Sequence, residues 1–482
     1  MDILHGDNVI KYFKEISKIP RETCKEKQIS DYLVDFAEKR NLEVRQDKLY
    51  NVIIKKKSNI ENYNGPTVIL QGHMDMVYEK DINSDHVYES GIKVIEKDGF
   101  LFADHTTLGA DNGIAVAYCL AILDQEEMKY PNLEVIFTVQ EEGGMVGVEH
   151  IDLNDIKGKY FINIDTEEEG VLFTGCAGGV RNYIRIPSSK EKIKSESIIS
   201  IEIKGLKGGH SGMEIGMGRG NAIKLLGRLL HKINNNNLHL CLVQAKGKAN
   251  AISHYAKAVI CVPKSDSAQV TQLIKDIDNI FKNELQFTDN IKIEIKELNN
   301  ENYIEAYTQE TKNKIINVLM LLPCGEINKS YVIKDLVQTS MNVGSLEEID
   351  NKISILNFIR SSVESEKYNV ADNVRIIADA YGADCEFFND YPQWEYKAES
   401  KIRDAAIEIY EGIFNKKPLI TAVHAGLECG YLNKKLKDVD MISFGPDQYD
   451  VHTTNEHISI QSIKNVWAFL IKLLERLAEE KN

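Results

Sequence analysis

Three apolar runs in this chain each stop at an acid or a histidine. Val68-Ile69-Leu70 leads into Gln71-Gly72-His73-Met74-Asp75. Leu133-Glu134-Val135-Ile136-Phe137-Thr138-Val139 leads into Gln140-Glu141-Glu142. Tyr160-Phe161-Ile162-Asn163-Ile164 leads into Asp165. Short runs rich in β-branched residues, one of them entered through Gly65-Pro66, read as buried strands. Residues 114–123 are apolar nearly all round and read as a buried helix, introduced by Ala110-Asp111-Asn112-Gly113. Strands that alternate with helices imply a mostly parallel sheet. In open α/β sheets, ligands collect just beyond the carboxyl ends of the strands, which is where these acids and His73 stand.

Length and charge narrow the class. The chain has 482 residues, which at ~150 residues per domain suggests two or three domains. Hydrophobic content of 43% with 27% charged residues describes a soluble globular protein. A net charge of −15 argues against nucleic acid and anionic membrane surfaces as partners. The eight cysteines form no Cys-x-x-Cys pair, so neither a zinc ribbon nor a disulfide framework is indicated. The first residues lack the basic and apolar regions of a signal peptide, and no apolar run approaches the ~20 residues of a membrane span. A cytoplasmic protein is expected.

Read in order, the chain begins with helical spacing at Val9, Ile10, Phe13 and Ile16, stopped by Pro20. Thr23 is placed to cap a second helix, with Glu26 at the capping-box position. Residues 188–197 are polar and lysine-rich and read as a linker. Two strand–helix halves follow, at 198–297 and 302–391. They hint at an internal duplication that periodicity alone does not establish. From Glu399 the first character returns: a helix, an apolar run into His424, a strand at 441–444, and a last helix that Ser459 can cap. The economical reading is one α/β domain interrupted by an inserted second domain.

The residues that could carry chemistry are His73, Asp75, Asp111, Glu141, Glu142, Asp165 and His457. Singly, each has an ordinary explanation as a helix cap or a solvated face. Together, five places each just past an apolar run are harder to explain that way. So many buried acids would be prohibitive without cations to offset them. Oxygen and imidazole donors without sulfur suit Zn²⁺, Mn²⁺ or Co²⁺. Two metals sharing one carboxylate would leave positions open for water and substrate.

This constellation resembles the M20 metallopeptidases, a clan of di-zinc aminopeptidases and carboxypeptidases, and the resemblance spans essentially the whole chain. Gln71-Gly72-His73-Met74-Asp75-Met76-Val77, Gly109-Ala110-Asp111-Asn112-Gly113, Gly175-Cys176-Ala177-Gly178-Gly179 and His424-Ala425-Gly426-Leu427-Glu428-Cys429-Gly430 are similar to its aminoacyl-histidine dipeptidase branch. The resemblance implies an α/β catalytic domain, its mostly parallel central sheet flanked by helices, built from residues 1–186 and 399–482. Residues 187–398 would form an inserted α+β lid, in two halves.

The resemblance also implies roles. His73 and Asp165 would hold one metal, Glu142 and His457 the other, and Asp111, joined to Asn112 by a cis peptide, would bridge them. Asp75 would orient His73 through its far nitrogen. Glu141 would be the general base toward a metal-bridging water. In the lid, His210 of Gly208-Gly209-His210-Ser211-Gly212 would meet the oxyanion. Asn250, Arg360 and His424 would bind substrate, with Arg360 gripping its carboxylate. His5, His86, His105, His150, His231, His239, His254 and His452 read as structural or surface residues, although His452 lies close enough to His457 to support the site.

The implied function is hydrolysis of Xaa-His dipeptides such as β-Ala-His, Gly-His and Ala-His by a di-metal enzyme, most favourably with zinc. The partners are a small peptide substrate and a second copy in a homodimer. Lid closure would assemble the site, with hinges near Ile186-Pro187 and residues 394–399. The rivals are a broader dipeptidase, a tripeptidase or an N-acyl amino acid deacylase, and a non-catalytic metal-binding protein. The intact Glu141 argues against the last.

Overall fold

The computed structural model of the chain describes residues 6–298 and 302–481; His5 lies outside them. The chain divides into two compact units. One comprises the residues up to Gly175 with Trp394–Ala422 and Leu427–Asn482, the other Cys176–Gln393 with Val423–Gly426.

The first unit is built on an eight-stranded sheet. Its centre is four parallel strands in the order Asn132–Thr138, Thr67–His73, Tyr160–Asn163 and Asp440–Ser443. Three of them are the apolar runs that end in acids or histidine. Antiparallel pairing appears only toward the edges, where Val52–Lys56 joins Asn132–Thr138 and Glu43–Gln46 joins Val52–Lys56. On the other side Val171–Cys176 pairs antiparallel with Asp440–Ser443. The central strands are buried along nearly their whole length, which is why they read as continuous apolar runs rather than as alternation.

Helix Ala110–Leu123 is buried at every position but Asp111, as its all-round apolarity requires. The last helix, Ile460–Ala478, buries Ile463, Trp467, Leu470, Leu474 and Leu477 on one face, and the Ser459 hydroxyl accepts from the Ser462 amide at its start. Tyr118 and Trp467 stack between these two helices, and the Tyr118 hydroxyl donates to the Ile463 carbonyl at 2.9 Å. No helix among the described residues is long and apolar enough to cross a membrane.

Among the described residues the second unit holds a four-stranded and a five-stranded antiparallel sheet, and both follow one plan. In the first, strand Ser197–Lys204, helix Ala222–Ile233, strands His239–Gln244 and Ala256–Val262, helix Ser267–Leu285 and strand Lys292–Leu298 succeed one another. With these strands numbered one to four, the order across the sheet is two, three, one, four, the split β-α-β pattern. In the second, Gly178–Pro187 is strand one, followed after the whole first module by helix Gln309–Leu321. Strands Val337–Ile349 and Lys352–Ser361, helix Glu364–Ala380 and strand Asp384–Tyr391 complete it in the same order, with Gly325–Lys329 added at one edge.

The two halves are therefore nested rather than tandem, which corrects the reading of 198–297 followed by 302–391. The second half borrows its central strand from residues that precede the first. Gly178–Pro187 pairs along its length with Lys352–Ser361 on one side and with Asp384–Tyr391 on the other. For the same reason the unit begins before residue 187. Residues 188–197 are not a free linker either: Lys190–Lys194 pairs antiparallel with Tyr303–Tyr307.

The parallel centre of the first unit makes a direct prediction. Phe137 is fully buried in the strand that leads to Glu141. Phe137→Ala is expected to destabilise that unit by about 3–5 kcal/mol through lost burial and the cavity left behind, read as a lower urea midpoint by circular dichroism.

Candidate active site

His73 is the last residue of its strand, and its ring is buried. Nδ1 faces the Asp75 carbonyl oxygen at 3.1 Å and the Asp75 carboxylate at 3.4 Å. That leaves Nε2 to point at Asp111 Oδ1, 3.0 Å away, and at Asp165 Oδ1, 3.6 Å away. Orientation through the far nitrogen is the arrangement expected of a metal-ligating histidine.

The Asp75 carboxylate does more than face His73. It accepts from the Glu141 amide at 3.1 Å, the Glu142 amide at 3.3 Å and the Thr23 hydroxyl at 3.0 Å. Thr23 is thus spent on Asp75 and does not cap the second helix, Lys27–Glu38, which has no side-chain cap. Glu26 likewise accepts from the amides of Cys24 and Gln140 instead of closing a capping box. The capping pattern is real in the sequence, but the turns beside the site compete for the same groups and win.

Asp111 and Asn112 are joined by a cis peptide, and both depart from helical backbone angles. The Asn112 side chain accepts from the His73 amide at 3.2 Å and donates to the Ile164 carbonyl at 2.7 Å. It so ties together the ends of the strands that carry His73 and Asp165. Gly72 is obligatory beside it: a Cβ there would lie 2.5 Å from Asn112 Oδ1 and 2.4 Å from Ala115 Cβ.

The two oxygens of Asp111 face different imidazoles. Oδ1 meets His73, while Oδ2 lies 3.2 Å from His452 Nε2, which also lies 2.7 Å from Glu142 Oε1. This places His452 where His457 was expected. His457 instead turns Nδ1 to the Asn455 carbonyl at 2.9 Å, and its ring stacks on Phe102 and Tyr449. Both histidines precede a helix, so proximity to one cannot separate them. The difference comes from pairing: His457 lies on a short strand, His457–Ser459, opposite Phe102, whereas His452 sits in the preceding turn with positive φ.

The electrostatics fit cations. Burial, together with neighbouring carboxylates, pushes Asp165 and Glu141 well above the usual carboxyl range, although His73 pulls both down. Burial alone would lower His73, but Asp165, Asp111 and Asp75 hold its imidazolium well above the ordinary value. The carboxylates of Asp111 and Glu142, accepting from His452, raise it in the same way. The site is short of positive charge. Among the described residues, His73, Asp111 and Glu142 offer ligand atoms within 4.8 Å of one another. Oxygen and imidazole donors around a carboxylate with two divergent oxygens fit two divalent ions.

A further buried acid, Glu428, lies in the motif 424–430, where no apolar run of the sequence points to it. Glu428 is fully buried and accepts from Gln71 Nε2 at 2.5 Å and Thr138 Oγ1 at 2.6 Å. Asn163 Nδ2 donates to Gln71 Oε1 at 2.7 Å, and Ser443 Oγ donates to Asn163. The chain of bonds crosses all four parallel strands just below their functional ends. Burial pushes Glu428 up to about 7.

The second unit gathers the other expected residues. The Ser211 amide donates to the Asn250 carbonyl at 2.8 Å and the Ile252 amide to the Gly209 carbonyl at 2.8 Å, so His210 and Asn250 sit on paired segments. His210 Nδ1 accepts from the amides of Gly212 and Met213. With burial and Arg360 lowering its pKa, the ring is neutral and carries its proton on Nε2. The expected Arg360 is almost wholly buried. It donates to the Tyr391 hydroxyl at 2.8 Å and lies over the Phe358 ring, and its Nε has no hydrogen-bond partner among the described residues. His424 is held at 2.7 Å by Ser340 Oγ, and burial brings it down to about 3, so it too is neutral.

Comparison with known proteins finds similarity along nearly the whole chain. The family described as peptidase family M20/M25/M40 matches residues 69–476. A cytosol non-specific dipeptidase of Escherichia coli (strain K12) is 35% identical over 472 residues, covering 96% of each chain. An aminoacylhistidine dipeptidase from Vibrio alginolyticus superposes with a TM-score of 0.92 at 33% identity, covering 97% of this chain and 96% of that one. An aminopeptidase, PepT, from Bacillus cereus shares the fold at a TM-score of 0.58 and 15% identity, over 99% of this chain and all of the other.

The two C-terminal histidines separate experimentally. His452→Ala is expected to lower bound divalent metal after dialysis, and His457→Ala to retain it, measured by inductively coupled plasma mass spectrometry. The reverse pattern would restore the sequence-based assignment.

Proposed function

The chain belongs to peptidase family M20/M25/M40, and we propose that it is a cytoplasmic di-metal dipeptidase that cleaves Xaa-His and related dipeptides. Zinc is the proposed ion, with cobalt and manganese as alternatives of the same donor preference. The observation that carries the reading is Asp111: its two oxygens face two different imidazoles, each with a further carboxylate beside it. His73 and Asp165 would hold one ion and His452 and Glu142 the other, with Asp111 between them. The names of the relatives support a dipeptide substrate, one of them an aminoacyl-histidine.

When bound, the ion pair polarises the scissile carbonyl and acidifies water. Glu141 is then the proton carrier. Its amide is pinned by Asp75, while its carboxyl makes no hydrogen bond among the described residues. Glu141 takes a proton from the attacking water and delivers it to the leaving amine as the C–N bond breaks. A carboxyl raised by burial holds that proton between the two steps. His210 donates from Nε2 to the oxyanion, a contact typically worth ~3–4 kcal/mol.

Arg360 supports recognition of a free C-terminus. Among the described residues Arg360 has no ion-paired carboxylate, and a buried, unpaired guanidinium is costly; a substrate carboxylate supplies the missing charge and can be gripped bidentately. Asn250 and neutral His424 complete the polar contacts proposed for substrate.

Glu141→Ala is expected to lower kcat by ~10²–10⁴-fold or more while keeping both metals. Arg360→Ala is expected to raise KM for Ala-His strongly, while Ala-His amide, a poor substrate for the parent, changes little. A panel of Xaa-His dipeptides, other dipeptides, tripeptides and N-acetyl amino acids decides the substrate class. Broad dipeptide turnover would favour the specificity named for the Escherichia coli relative, and tripeptide or N-acetyl turnover without dipeptide turnover would overturn the proposal.

A further inference from the structure

The carboxylate of Glu456 is among the most completely used groups in the molecule, yet it touches neither a reacting atom nor a proposed ligand side chain. It is 2% exposed. Its Oε2 accepts from the amides of Leu108 and Gly109 at 2.7 and 2.8 Å, and its Oε1 from those of Ala110 and Asp111 at 2.7 and 3.3 Å. These are the amides at the start of the helix that carries Asp111. A helix start is ordinarily capped by a side chain of its own first turn. Here the cap position is Gly109, in the left-handed region, with no side-chain cap. The acceptor arrives instead from a segment more than three hundred residues later in the chain.

That segment is the turn bearing His452. The Glu456 amide donates to the Thr453 carbonyl at 3.1 Å, and the Asn455 amide to Thr453 Oγ1 at 3.1 Å. Between His452 and Glu456 the backbone is therefore a closed turn, not a loose loop. The Asp111 turn is gripped from its other side by Arg21, also buried, which donates to the carbonyls of Gly109, Met74 and Asp75. Its guanidinium leaves no room for side chains at two glycines: a Cβ on Gly109 or Gly113 would lie 2.6 or 2.4 Å from Arg21 Nη2. Glu456 holds the amides of the Asp111 turn, while Arg21 holds its Gly109 carbonyl and joins it to the Met74 and Asp75 carbonyls beside His73, so each connects the turn to a different part of the site.

We propose that Glu456 is a positioning residue that sets Asp111 and His452 in register, so that the ion shared by Asp111, Glu142 and His452 is bound only while the Glu456 clamp is closed. The proposal rests on the reading of Asp111 and His452 as ligands. It adds that their spacing is imposed by main-chain bonds to one distant carboxylate.

The test uses the full-length protein stripped of metal. Zn²⁺ stoichiometry and affinity are measured by equilibrium dialysis, and the two environments by the visible absorption of bound Co²⁺. Glu456→Gln, which presents an amide NH₂ to two of the four donors, is expected to keep one ion at parental affinity. The second should weaken at least tenfold, with loss of part of the Co²⁺ absorption. Activity on Ala-His should fall in kcat with KM nearly unchanged, and should recover as free metal is raised, which a purely structural lesion would not do. Should Glu456→Gln fail to fold, Glu456→Asp decides, because it keeps the charge but is too short to span both pairs of amides. Two ions bound at parental affinity in the folded variant overturn the proposal. A parent protein that binds fewer than two ions overturns the di-metal reading itself, and is distinguished by being seen before any substitution.

Discussion

The site of the first unit depends on one buried carboxylate, Asp75. It lies against His73 Nδ1 and at the same time accepts the amides of Glu141 and Glu142 and the hydroxyl of Thr23. Burial alone would raise its pKa, but the His73 contact and these donors hold it below the ordinary carboxylate value. Because it is charged, each of its bonds is charge-assisted and directional. One group therefore fixes the tautomer of a proposed ligand and the backbone of both the proposed base and its neighbouring ligand. The adjacency of Glu141 and Glu142 follows: with both amides pinned to one carboxylate, the two side chains can diverge, one to His452 and one with no hydrogen bond among the described residues.

Below this hub the scaffold is rigid for a separate reason. Parallel strands have no hairpins to fix their relative positions, and the alignment of their ends must come from other contacts. The Gln71, Thr138, Asn163, Ser443 and Glu428 side chains supply it as a hydrogen-bonded row across the four strands. Asn112 adds a bond between the ends of two of them. Polar groups this deep are stable only when paired, and here the pairing is also what holds the strand ends level.

The second unit uses isolation where the first uses crowding. Among the described residues Arg360 is buried with no acid paired to it, and His210 and His424 are rings kept neutral by burial and by the Arg360 charge, with main-chain and hydroxyl partners orienting them. Such groups are prepared for a ligand's charge rather than for one another's. The nested double sheet explains how they come to be supported: Arg360 lies on a strand paired with neighbours on both sides, a firmer platform than a loop.

Local pattern determined a good deal of this protein. Apolar runs that end in acids marked the central strands, all-round apolarity marked the buried helix behind Asp111, and Ser459 marked the start of the last helix, because each signal lies within a few residues of what it specifies. Tertiary structure decided the rest. Thr23 and Glu26 carry a capping pattern but are drawn to Asp75 and to the Gln140 amide. His452 and His457 are alike in sequence, and only the pairing of His457 opposite Phe102 turns one aside and leaves the other facing Asp111. The second half of the inserted unit takes its central strand from residues 178–187, a pairing that no local period can reveal. Residue chemistry is written in the chain, but which of two equivalent groups meets a given carboxylate depends on contacts between segments far apart in it.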